Sequence, residues 1–205
     1  MIANKSLPTI DQLITSENWQ LARARIKEQL KKDPESHWLL TQLGVTYYEE
    51  RRYAIALRYI LKSLPLQPDC PLTLWNLAGC LDALGRHHEA LHIFADLVQV
   101  VPNPKRESCW ESKAWAASLQ ADCLYRIGIC YSNLGNDENA REFYESYLQF
   151  LDRGIKGMYS RREVAAKLKK LRLTNIPPRL NRRIKSILRS ETKQPLSHSA
   201  EFGAV

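Results

Sequence analysis

The most constraining feature of this chain is a spacing. Leu43-Gly44, Tyr47, Ala56, Ile60 and Pro68 reappear 34 residues later as Leu77-Ala78, Leu81, Ala90, Phe94 and Pro102. A further 50 residues on, Ile127-Gly128, Tyr131, Ala140 and Tyr144 repeat the pattern, with Asp152 at the proline place. Thirty-four residues before the first set stand Ala22, Ile26 and Pro34, with Thr9-Ile10 in place of the Leu-Gly pair. A period of this length implies units that cannot bury an apolar face alone and must stack on their neighbours.

Each unit reads as two amphipathic stretches of about 14 residues joined by a short polar turn. "YEERR", "LGRHH" and "LGNDE" occupy the turns, and Gly85 and Gly135 are available for a left-handed helix end. Small residues at Gly44, Ala78 and Gly128, together with Ala56, Ala90 and Ala140, allow two helices to approach closely. Tyr47, Leu81 and Tyr131 are bulky enough to fill the space beside them. Pro34, Pro68 and Pro102 end the second helix of a unit and open the next.

These registered residues resemble the tetratricopeptide repeat. The resemblance covers 37–70, 71–104 and 121–154 well, and 1–36 as a degenerate N-terminal unit. It implies an all-α, right-handed helical solenoid of tetratricopeptide type with C-terminal capping helices. It also implies a non-catalytic protein–protein interaction module, a scaffold or chaperone-like adaptor that takes a peptide or helix in its concave groove. In that family the first helix of each unit lines the groove. The matching positions here are Trp38, Thr41, Val45, Tyr48 and Glu49, then Leu72, Trp75, Asn76, Gly79 and Asp82. The third unit adds Asp122, Tyr125, Arg126, Ile129 and Asn133. Some members clamp a C-terminal carboxylate with five Lys, Asn and Arg residues. Only Asn76 and Arg126 match that set, whereas Thr41, Val45 and Asp122 depart from it, so no such clamp is expected. Glu49, Asp82 and Asp122 make the mapped groove acidic, which points to a basic or amphipathic ligand.

Between the second and third units, 105–120 contains neither Gly nor Pro. It reads as a helical insertion extending the next helix from about Glu107 to Leu134, with Trp110, Ala114 and Ala117 as its apolar stripe; a separate short helix is the alternative. After Leu151 the pattern breaks. Ser160 and Glu163 then form a capping-box signature for a helix to about Leu173, lined by Val164, Leu168 and Leu171. A second capping helix is expected after Pro177-Pro178, with Leu180, Ile184 and Leu188 at four-residue spacing. Residues 190–205 are polar and expected to be disordered.

Charge divides the chain. Residues 1–154 hold 17 Lys and Arg against 19 Asp and Glu, and residues 155–205 hold 13 against 3. The basic 155–189 segment suits capping helices with a solvated outer face. A nucleic-acid-associated role is the alternative function, with Arg179, Arg182, Arg183, Lys185 and Arg189 as anion contacts. No Trp, Tyr or Phe lies between Ser160 and Ala200, which excludes base stacking there. A further possibility is that this segment occupies the chain's own groove.

One string looks catalytic. His88-Glu89-Ala90-Leu91-His92 matches HExxH, which on a helix can bind zinc with the glutamate as general base. The repeat register explains it otherwise: Ala90 is the helix-contact alanine, and the two histidines fall on the convex side. No catalytic nucleophile motif and no phosphate-cradling glycine loop is present. The five cysteines are odd in number and lack CxxC spacing, which suits reduced, mostly buried thiols. No cofactor, metal or enzymatic activity is expected. No run approaches the roughly 18 apolar residues of a membrane span, and the N-terminal residues do not read as a signal peptide, so a cytoplasmic location is expected.

Overall fold

A computed structural model describes residues 8–100, 109 and 112–171. Among them, α-helices account for all regular structure apart from a short 3-10 turn, Leu64–Leu66. The helices are α1 (Ile10–Thr15), α2 (Trp19–Leu30), α3 (His37–Glu49), α4 (Tyr53–Ser63) and α5 (Pro71–Ala83). They continue with α6 (His87–Gln99), α7 (Lys113–Asn133), α8 (Asp137–Asp152) and α9 (Arg161–Lys170). Each of α1 to α8 packs on the next along the chain, and α3 also packs on α5, the arrangement of a stack of hairpins.

The periodic residues form the core. Ala22, Ala56, Ala90 and Ala140 have no exposure, and neither do Ile26, Ile60, Phe94 and Tyr144 four residues after each. The small residue of the first helix faces that bulky residue of the second. A Cβ added to Gly44 would lie 2.6 Å from Ile60 Cδ1, and one added to Gly128 would lie 2.7 Å from the Tyr144 ring. The degenerate first unit shares the turn chemistry of the others. Glu17, Arg51, Gly85 and Gly135 all sit at positive φ, and the first three are 34 residues apart. Glycine takes that conformation freely, whereas glutamate and arginine are held in it by the turn.

Local signals set the helix starts. Thr9 and Gln12 close a capping box on α1. Ser36, Ser112 and Asn136 accept from Leu39, Trp115 and Asn139 backbone N–H groups at the starts of α3, α7 and α8. Ser160 likewise accepts from the Glu163 N–H, but the Glu163 carboxylate accepts from Tyr125 OH at 3.2 Å. The start of α9 is therefore an N-cap whose acidic partner serves a tertiary contact.

Two expectations need correction. Helix α7 begins at Lys113 rather than near Glu107, because Ser112 is extended and caps it. Its apolar stripe runs through Ala116, Leu119 and Cys123, with Ala114 exposed and Ala117 half-buried, so the expected phase was off. Trp110, Pro102 and the helix after Pro178 lie outside the described residues. Helix α9 caps α8 with fully buried Val164 and half-buried Leu168 and Leu171.

Candidate functional site

The eleven residues assigned to the groove separate into three environments. Trp38, Glu49 and Asn133 are exposed; Tyr48, Trp75 and Arg126 are half-buried; Thr41, Asn76, Asp82, Asp122 and Tyr125 are buried.

Arg126 is the hub. Its Nη2 donates to Tyr48 OH at 3.2 Å and lies 3.7 Å from Asp82 Oδ2. The guanidinium sits 5.9 Å from the Trp75 ring centroid and 5.7 Å from that of Phe94. Three helices, α3, α5 and α7, thus meet at one cation that stacks and hydrogen-bonds in the way a guanidinium can and an ammonium cannot. Burial pushes the Tyr48 hydroxyl up, against the opposing pull of Arg126. Asp82 is shared. Its Oδ1 lies 2.7 Å from His87 Nδ1 and accepts more distantly from Asn133 Nδ2 at 3.5 Å and Cys130 Sγ at 3.6 Å. Beside this hub, Trp75 Nε1 and Arg126 Nε are buried donors without an acceptor.

The third unit's positions are covered by the chain itself. The stretch between α8 and α9 lays Tyr159 on Tyr125, with ring centroids 3.8 Å apart and planes within 21°. Met158 N–H donates to Asp122 Oδ1 at 2.8 Å. Tyr147 OH donates to the Tyr159 carbonyl at 2.6 Å and accepts from its N–H at 3.0 Å. Burial raises the Asp122 carboxyl to about 6, although the Met158 N–H opposes the shift. Asp122 and Tyr125 are therefore seats for residues 158–159.

Thr41 and Asn76 are corrections to the groove assignment. Thr41 belongs to a buried hydroxyl network, with Oγ1 2.8 Å from Ser63 Oγ and 2.9 Å from Thr73 Oγ1. Asn76 turns back on its own helix and donates to the Leu72 carbonyl at 2.8 Å. The acidity of the groove is also smaller than its residue types imply. Asp82 and Asp122 are committed internally, which leaves Glu49 as the exposed carboxylate of the three.

The HExxH string is on the outside of α6. His88 and His92 are exposed, and Glu89 is held by Arg86 through two 2.6 Å contacts. Arg179, Arg182, Arg183, Lys185 and Arg189 lie outside the described residues. Among the described residues, no helix is long and apolar enough to cross a membrane.

Comparison with known proteins places this geometry. The profile of the Tetratricopeptide repeat family matches residues 122–149, the later part of α7 and most of α8. A crystal structure of MamA superposes with a TM-score of 0.52 at 19% identity, covering 81% of this chain and 94% of that one. A structure of MamA AMB-1 gives 0.51 at 18% identity, over 70% and 75% of the two chains. No curated protein matches the sequence significantly. The matched repeat and the shared helical solenoid together make this chain a tetratricopeptide-repeat protein.

Proposed function

We propose that the chain is a non-catalytic protein–protein interaction module that receives a peptide or amphipathic helix on the first helices of its first two full units, α3 and α5. One observation carries this reading. The corresponding positions of the third unit already hold an extended segment of the chain, through a ring stack on Tyr125 and a backbone hydrogen bond to Asp122. The same two devices, an aromatic platform and polar groups for a main chain, are how extended peptides are held elsewhere. On α3 and α5 the platform is Trp38, Tyr48 and Trp75, which keep exposed or half-buried surface. Trp and Tyr are the residues that most often carry interface energy. A ligand with an apolar face supplies the contact area, and Glu49 favours a cationic residue on its rim.

Selection of a random-peptide display library against the full chain tests this. Enriched peptides are expected to bind with affinities that fall at least about tenfold in Trp38→Ala and Trp75→Ala, the loss of a typical hot spot. Enriched peptides that bind both variants as well as the native chain, or no enrichment at all, contradict the reading. Salt-dependent retention on nucleic acid, lost when residues 174–205 are deleted, would instead favour the nucleic-acid alternative.

A further inference from the structure

Three potential soft metal ligands from three different units converge at one edge of the solenoid. His37 is the first residue of α3, Cys70 is the N-cap of α5, and Cys109 lies three residues before Ser112, the N-cap of α7. One ligand atom from each lies within 4.8 Å of the others, and Cys109 Sγ is 3.4 Å from His37 Nε2. We propose that His37, Cys70 and Cys109 bind one zinc ion, which fastens the segment ahead of α7 to the starts of α3 and α5.

The geometry fits the ion. Zn–S bonds of about 2.3 Å and Zn–N bonds of about 2.0 Å at a tetrahedral angle place nitrogen and sulfur about 3.5 Å apart. The observed 3.4 Å needs no movement of His37 against Cys109. Sulfurs on one zinc are about 3.8 Å apart, so closure moves Cys70 and Cys109 together by at most about 1 Å. Two thiolates and a neutral imidazole balance the charge of Zn²⁺, and soft sulfur with imidazole nitrogen is a donor set zinc prefers. His37 and Cys109 are half-buried, which leaves the fourth position to water.

The frame beneath the ligands is rigid. Ser63 Oγ donates to the His37 carbonyl at 2.7 Å and joins the Thr41–Thr73 hydroxyl pair, tying the start of α3 to the end of α4 and the first turn of α5. Cys70 occupies a position where Ser, Thr, Asp or Asn normally spends its side chain on capping, yet its sulfur makes no cap bond. The other cysteines are different. Cys80, Cys123 and Cys130 are core residues, and burial pushes the Cys80 thiol up to about 12 and the other two higher still. The ligands lie 33 and 39 residues apart in sequence, so no short motif announces them. Zinc would close those two long loops and stabilise the stack through them.

The test uses the full chain, reduced and stripped of metal by a chelator. Titration with Co²⁺ is expected to give a thiolate-to-cobalt charge-transfer band that saturates at one ion per chain and is removed by Zn²⁺. Cys109→Ser and Cys70→Ser should each weaken binding by more than about 100-fold, because even outer-sphere partners cost 10–100-fold. His88→Ala/His92→Ala should leave binding unchanged. In the native sequence, Zn²⁺ should protect Cys70 and Cys109 from alkylation, a readout that does not depend on a variant folding. Absence of the band in folded, reduced protein overturns the proposal. So does a band unchanged in Cys109→Ser, or a Cys70–Cys109 disulfide that forms in air and persists with Zn²⁺ present.

Discussion

Replacing Gly128 with alanine probes the close contact on which the repeat is built. A Cβ at this position would lie 2.7 Å from both Cδ1 and Cε1 of Tyr144 and 3.2 Å from Cζ. The ring cannot retreat: Tyr144 has no exposure and is packed against Tyr125, with centroids 5.4 Å apart. Overpacking of a filled core costs about 1–3 kcal/mol. Alanine recovers about 1 kcal/mol of helix propensity over glycine. The net expectation for Gly128→Ala is a loss of about 1 kcal/mol. Gly79→Ala, in the interior of α5, is the internal control. Its Cβ would meet Arg126 Nη2 at 3.4 Å and Tyr48 Cε2 at 3.6 Å, which is contact without strong repulsion. That variant keeps most of the propensity gain. The two alanines should differ by about 2 kcal/mol, or about 1 M in urea midpoint at a slope of about 2 kcal/mol/M. Urea unfolding followed by circular dichroism reads this directly. If Gly128→Ala unfolds at the same or higher urea than Gly79→Ala, the close-approach reasoning is wrong.

Asp122→Asn tests the buried carboxyl. Its pKa is raised from 3.8 to about 6 by burial, so its contribution to stability is present in full below pH 3.8 and is lost as pH rises through 6. The asparagine variant should lack this loss and gain up to about 3 kcal/mol over the native chain at pH 7, with the gap closing by pH 4; a gap independent of pH refutes it. Arg51→Gly relieves a left-handed arginine at φ 59° and should raise the midpoint by about 0.5–1 kcal/mol in the same urea assay, whereas a loss would show that the side chain contributes a contact that glycine cannot replace. Thr41→Val leaves the buried Ser63 and Thr73 hydroxyls short of a partner and should cost about 1–3 kcal/mol; a neutral result would remove the network from the account.

Much of the fold is legible in the sequence because stacking imposes it at a fixed interval. Gly44 and Gly128, Ala56 and Ala140, and the left-handed residues after each first helix all follow from two helices touching and turning every 34 residues. The period ends at the insertion, where nothing external fixes the helical phase. That is why Ala116 and Leu119, rather than Ala114 and Ala117, face inward. The groove was legible only as a list of positions. Register names the residues that start on the first-helix face, but burial is decided by what packs over them. Asp122 and Tyr125 are covered by Met158 and Tyr159, and Thr41 is claimed by Ser63 and Thr73 from neighbouring elements. The His37, Cys70 and Cys109 cluster was missed for a related reason, since its members come together only when three units are stacked.

The measurement closest to the central claim is amide hydrogen exchange on the full chain, with and without a peptide selected from the display library. The account predicts new protection on α3 and α5, around Trp38, Tyr48 and Trp75, with α4 and α6 unchanged. Protection confined to α4 and α6, on the outer face that carries His88 and His92, would contradict it.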